Sequence, residues 1–104
     1  MSEFGVHTTV HVGSLGMVVG RCYSGRLHVG SVFRRLKGRA NSVAGIRFVV
    51  TRIEAYGRDF LEIDQGLTAR VHLEGEGWTL VEQGSILETE DEGSPRPNGD
   101  SQEI

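Results

Sequence analysis

Four cations lie within six residues, Arg34-Arg35-Leu36-Lys37-Gly38-Arg39, and the chemistry such a run suits is contact with phosphate. Arginine presents a planar, bidentate fork to phosphate or carboxylate oxygens, and it supplies ten of the eleven cations. Contacts of this kind position a nucleic acid without reading its sequence. On a strand Arg34 and Arg35 point to opposite faces, so convergence of all four charges requires the Gly38 to Gly45 loop to bend them together. The plainer alternative is a solvated loop. Two aromatics beside turns extend the candidate set. Trp78 follows Gly75-Glu76-Gly77, an expected hairpin tip, where an indole either stacks on a base or partner or folds back to cap the core. Tyr56, ahead of Gly57, is open in the same way. The candidate RNA- or partner-binding residues are therefore Arg34, Arg35, Lys37, Arg39, Tyr56 and Trp78.

Other chemistries find weaker support. His7 and His11 share one face of an expected strand, but four residues at about 3.4 Å each set them roughly 13 Å apart, too far to ligate one metal. Thr9 stands between them. Asp59, Glu62 and Asp64 with Glu54 raise the possibility of an acid–base pair, yet Arg52 and Arg58 beside them favour ordinary ion pairing. No G-x-S-x-G elbow frames a nucleophile, and Cys22 lies in a strand without an adjacent histidine. The expectation is a protein that is not an enzyme and that uses neither metal nor cofactor.

The elements that must position these residues read as strands. From Phe4 to Val12 the even positions are Phe4, Val6, Thr8, Val10 and Val12 and the odd ones Gly5, His7, Thr9 and His11, which predicts one strand with its even face buried. Further strands are expected at Leu15–Tyr23, Leu27–Leu36, Ile46–Tyr56, Asp59–Ile63, Leu67–Leu73, Thr79–Val81 and Ile86–Leu87. Glycine-bearing turns separate them, no proline falls within residues 1–87 and no stretch carries helical apolar spacing. Short strands at close spacing point to an all-β sandwich or closed antiparallel barrel.

Composition sets the bounds. The 104 residues suit one domain, and eleven Lys and Arg against fourteen Asp and Glu give a formal charge of −3. The charge is unevenly spread. Residues 88–104 hold six acids, one arginine and both prolines, whereas residues 1–87 hold ten bases and eight acids. The expected organisation is a barrel over 1–87 and an acidic, disordered tail over 88–104, which opposite charge would draw over the basic loop. One cysteine permits no internal disulfide and no Cys pair for zinc, and no apolar run approaches a membrane span. A reducing, cytoplasmic setting is expected, with no membrane partner and an oligomeric state left open.

The run Gly16-Met17-Val18-Val19-Gly20-Arg21-Cys22-Tyr23-Ser24-Gly25-Arg26-Leu27-His28-Val29-Gly30 resembles the signature of domain II in translational GTPases such as elongation factor Tu. Val50-Thr51-Arg52-Ile53-Glu54, then Gly66, Val71, Leu73 and Gly75, and the closing Glu82-Gln83-Gly84-Ser85-Ile86-Leu87 continue the likeness, which covers residues 4–88. The resemblance implies a small closed, Greek-key-like β-barrel, here as a free-standing copy, that contacts RNA, the ribosome or neighbouring protein domains. It departs from the larger factors in two ways. No phosphate-binding G-x-x-x-x-G-K-[ST] loop is present, so no nucleotide is expected, and Thr8-Thr9-Val10 stands where carriers of aminoacyl-tRNA have an acidic-Val-aromatic run. Two functions follow as expectations: a non-catalytic module binding RNA or the translation machinery, or a protein-interaction adaptor, inhibitor or immunity-type protein using the barrel as a rigid scaffold.

Overall fold

A computed structural model describes residues 2–38 and 42–89. The chain forms β1 (Glu3–Val12), β2 (Leu15–Ser24), β3 (Arg26–His28), β4 (Val32–Lys37), β5 (Ser42–Ala55), β6 (Arg58–Phe60), β7 (Glu62–Asp64), β8 (Thr68–Glu76) and β9 (Ile86–Thr89). Six of them close into an antiparallel ring. Its order is β4-β9-β1-β2-β8-β5, with β5 returning to β4, while β6 extends the sheet from β5. β3 and β7 make a separate two-stranded ribbon. Arg39 and the expected tail from residue 90 onward lie outside the described residues. The last strand runs through Glu88 and Thr89, and both side chains are buried.

Phe4, Val18, Phe33, Phe48, Ile53 and Val71 fill the interior with no accessible surface. The ribbon plugs one end of the barrel by inserting Leu27 and Ile63. At that end Ser2 and Thr89 clasp: the Ser2 amide donates to Thr89 Oγ1 at 2.8 Å, and the Thr89 amide donates to the Ser2 carbonyl at 3.0 Å. Trp78 closes the opposite end. Its ring tilts against Phe48 at 4.6 Å, stacks on His11 at 5.2 Å, and donates Nε1–H to the Ser14 carbonyl at 3.2 Å.

Four register shifts bend the strands: Tyr23 is an extra residue of β2 opposite Glu3/Phe4, and β1, β4 and β5 each carry one, at Val6/Thr8, Phe33/Arg35 and Val50/Arg52. An extra residue in a ladder reverses which side chains face inward beyond it. This corrects the expectation for β1. Phe4 and Val6 are buried as alternation requires, but past the bulge Val10 and Val12 face solvent. In β4 the same device lets Phe33 and Leu36, three apart, both face the core, and in β5 it does so for Val50 and Ile53.

Three further expectations change. Leu27–Leu36 is not one strand: Gly30 takes φ 98°, and the Ser31 amide donates to the His28 carbonyl in a turn that separates β3 from β4. Asp59–Ile63 divides into β6 and β7 around exposed Leu61. Thr79–Val81 is no strand but the continuation of a 3-10 turn, Trp78–Leu80, because the chain must tuck Trp78 under the barrel mouth. Its amides bond locally, Leu80 to Gly77 and Val81 to Trp78.

Gly20 and Gly75 mark where backbones meet. A Cβ on Gly20 would strike the Gly5 carbonyl, and one on Gly75 the Arg47 carbonyl. Because backbone cannot swing aside as a side-chain tip can, Gly20→Ala is expected to cost about 1–3 kcal/mol, the range of overpacking. Urea unfolding checks it, the midpoint falling for Gly20→Ala.

Candidate functional site

The bulge at Phe33/Arg35 decides the geometry of the basic run. With Phe33 and Leu36 both inward, Arg34 and Arg35 both face solvent, so the opposite-face arrangement expected of a regular strand is replaced by one exposed pair. Lys37 is engaged elsewhere. Its Nζ lies 3.2 Å from Glu88 Oε2 and 3.6 Å from Glu3 Oε2. Glu88 is buried, so the lysine compensates a carboxylate removed from water. The hydrogen bond that Lys37 donates to Glu88 is the main reason its pKa lies above the ordinary value, with the charges of Glu88 and Glu3 adding to the rise.

Register adds a cation that the linear run does not show. Phe33 pairs with Phe48 and Arg35 with Ala44, so Arg34 runs beside the stretch of β5 that carries exposed Arg47. Arg34, Arg35 and Arg47 are thus all exposed on this hairpin. Arg47 in turn faces Glu76 of β8, which bounds the positive surface on that side. The signal for Arg47 was present only in strand pairing, since thirteen positions separate it from Arg34 in the chain.

The aromatic candidates part company. Trp78 is 5% exposed and its ring is committed to Phe48 and His11, so it serves the core as a cap rather than as a stacking platform. Tyr56 is 77% exposed and holds φ 55°, the one left-handed residue other than glycine among the described residues. It sits with Gly57 in the two-residue turn between β5 and β6, where both residues need positive φ. Tyr56 and the arginines do not meet: Arg35 pairs near the start of β5 and Tyr56 follows its end.

The carboxylates form ion pairs. Glu54 lies 2.9 Å from Arg52, 3.4 Å from Arg70 and 3.3 Å from His72 Nε2, and Arg52 also reaches Asp59 at 3.1 Å. Asp64 and Glu62 pair with Arg26. Cys22 is 1% exposed, and burial foremost pushes its thiol above the ordinary range. Asp64 adds to the rise, while a hydrogen bond with the Ser24 backbone opposes it. Among the described residues no three His, Cys, Asp or Glu side chains converge as metal ligands, and no helix is long and apolar enough to cross a membrane.

A similar fold occurs in a solved translation factor. Translation elongation factor SelB from Methanococcus maripaludis, in its apo form, superposes with a TM-score of 0.70 at 17% sequence identity. The chain has the fold of a translation-factor domain II barrel. The match covers 86% of this chain and 18% of the factor, so the shared part is one module of a much longer protein. No family model matches the sequence, and no curated protein is significantly similar. The likeness therefore resides in strand order and barrel geometry, which the Gly and Val spacing of the β2 region reflects.

Two outcomes test the local physics. Tyr56→Asn places a residue tolerant of the left-handed region in the turn and is expected to raise stability by about 1 kcal/mol, read as a higher melting temperature. Native Cys22 is expected to resist alkylation at neutral pH and to react on unfolding. Its raised pKa also means that above the ordinary thiol range the unfolded chain ionises while the folded one keeps its proton, so stability falls as pH rises there.

Proposed function

We propose that this barrel is a non-catalytic binding module of the translation machinery that contacts RNA through the β4–β5 hairpin, with Arg34, Arg35 and Arg47 on phosphate. The fold shared with an elongation factor supports the setting, and the bulge that turns both Arg34 and Arg35 outward supports the surface. Arg39, whose placement lies outside the described residues, extends the same run in sequence. Lys37 has a structural part, holding Glu88, and phosphate recognition falls to the arginines.

Binding of the purified protein to ribosomes and to tRNA over a salt series tests this reading. Arg34→Glu with Arg35→Glu and Arg47→Glu is expected to weaken binding roughly tenfold or more at low salt and to flatten the salt dependence, by about 0.7–0.9 of slope for each phosphate no longer neutralised. Unchanged affinity in this variant overturns it.

A second reading rests on Tyr56. A left-handed tyrosine exposes its ring at considerable local cost, and Leu61, also exposed, follows closely in the chain. Such an end suits a protein partner of the adaptor, inhibitor or immunity type. In that case Tyr56→Ala abolishes recovery of a protein companion from native cells, while the arginine variant retains it.

A further inference from the structure

The β1–β2 hairpin reaches past the ring. β9 pairs with β1 only over Glu3–Gly5, and Val6 exchanges backbone hydrogen bonds with Ser85 and Gly84. Beyond Val6, β1 pairs with β2 alone. Among the described residues no backbone group bonds the other edge of His7–Val12, although Trp78 packs its ring against His11. Bare edges of this kind are usually blunted by lysine, proline or other charge. This one carries none: it reads His-Thr-Thr-Val-His-Val, and its bulge lies at the start, before the straight part. The arm also displays apolar surface, with Val10 at 54%, Val12 at 83% and Leu15 at 58% exposure beside a groove of about 400 Å³.

We infer that this edge pairs with the same edge of a second copy of the chain, antiparallel and centred on Thr9. A strand that meets itself antiparallel generates a two-fold axis, so the interface closes at two copies. In this register His7 faces His11 of the second copy and Thr8 faces Val10, so no fixed like charges meet across the ladder. The axis itself falls on Thr9. Its Oγ1 is buried without a hydrogen-bond partner, and it is the one such side-chain atom among the described residues. Opposed threonines on one face of an antiparallel pair lie within hydrogen-bonding reach, so the second copy supplies what the single chain lacks. The paired edge spans His7–His11, because Val6 is already bonded to Ser85 and Gly84. Five residues at about 3.4 Å each bury less than the ~1,200 Å² of a standard interface, so the dimer is weak and forms with concentration.

Sedimentation of the full chain over a wide concentration range tests the inference, with mass expected to rise from one chain toward two. Thr8→Lys and Val10→Lys place a charge on the edge at exposed positions and are expected to keep the chain a single copy while leaving its melting temperature within a few degrees. The register is tested separately by Thr9→Cys. Two sulfurs at the axis are within disulfide reach, so mild oxidation should cross-link Thr9→Cys and not Tyr56→Cys, and buried Cys22 stays silent. A chain that remains single at every concentration overturns the inference, as does a dimer that both lysine variants retain. A dimer in which Thr9→Cys fails to cross-link overturns the register. Neither arm depends on RNA, so these results stand apart from the test of the arginines.

Discussion

Closure of the ring by the β4–β5 pairing is the constraint to which the rest of the structure answers. Six strands can return on themselves only if several bend sharply, and antiparallel ladders bend where an extra residue enters or where glycine lets backbones approach. The chain uses both devices. Bulges sit in β1, β2, β4 and β5, and Gly20 and Gly75 lie against the carbonyls of Gly5 and Arg47. Closure also leaves two open mouths, and the chain fills each differently, one with the Leu27 and Ile63 ribbon and the other with Trp78.

Those bends also determine what the surface offers. The bulge in β4 converts an alternating Arg34-Arg35 pair into two outward cations, and the closing pairing sets Arg47 beside them. The bulge in β1 turns Val10 and Val12 outward and Thr9 toward the interior. Charge is therefore presented on one hairpin and uncharged edge on another, and each follows from a single inserted residue. A regular ladder would have buried one of the two arginines and both valines.

Much of the architecture was legible in the sequence because alternation, turn glycines and the ordered Gly-Val-Gly-Arg pattern all describe a bent antiparallel barrel. The same reasoning failed where period two breaks. Phe33 with Leu36, and Val50 with Ile53, are apolar pairs at odd spacing, and such pairs are the one local sign of a bulge. β1 offered no such sign, since Val10 and Val12 continue the pattern of Phe4 and Val6 while the backbone changes phase beneath them. Trp78 was ambiguous because a glycine-flanked aromatic suits a tip and a plug equally well. The part of Lys37 was hidden for another reason: Glu3 and Glu88 are distant in sequence, and only the pairing of β9 with both β1 and β4 brings the three together.

The clasp between Ser2 and Thr89 means that the backbone enters and leaves the barrel through one port. A body whose two ends touch can be spliced into a host loop, or rejoined and opened at another turn, while every ladder of the ring keeps its partners. The barrel is thus suited to transplantation.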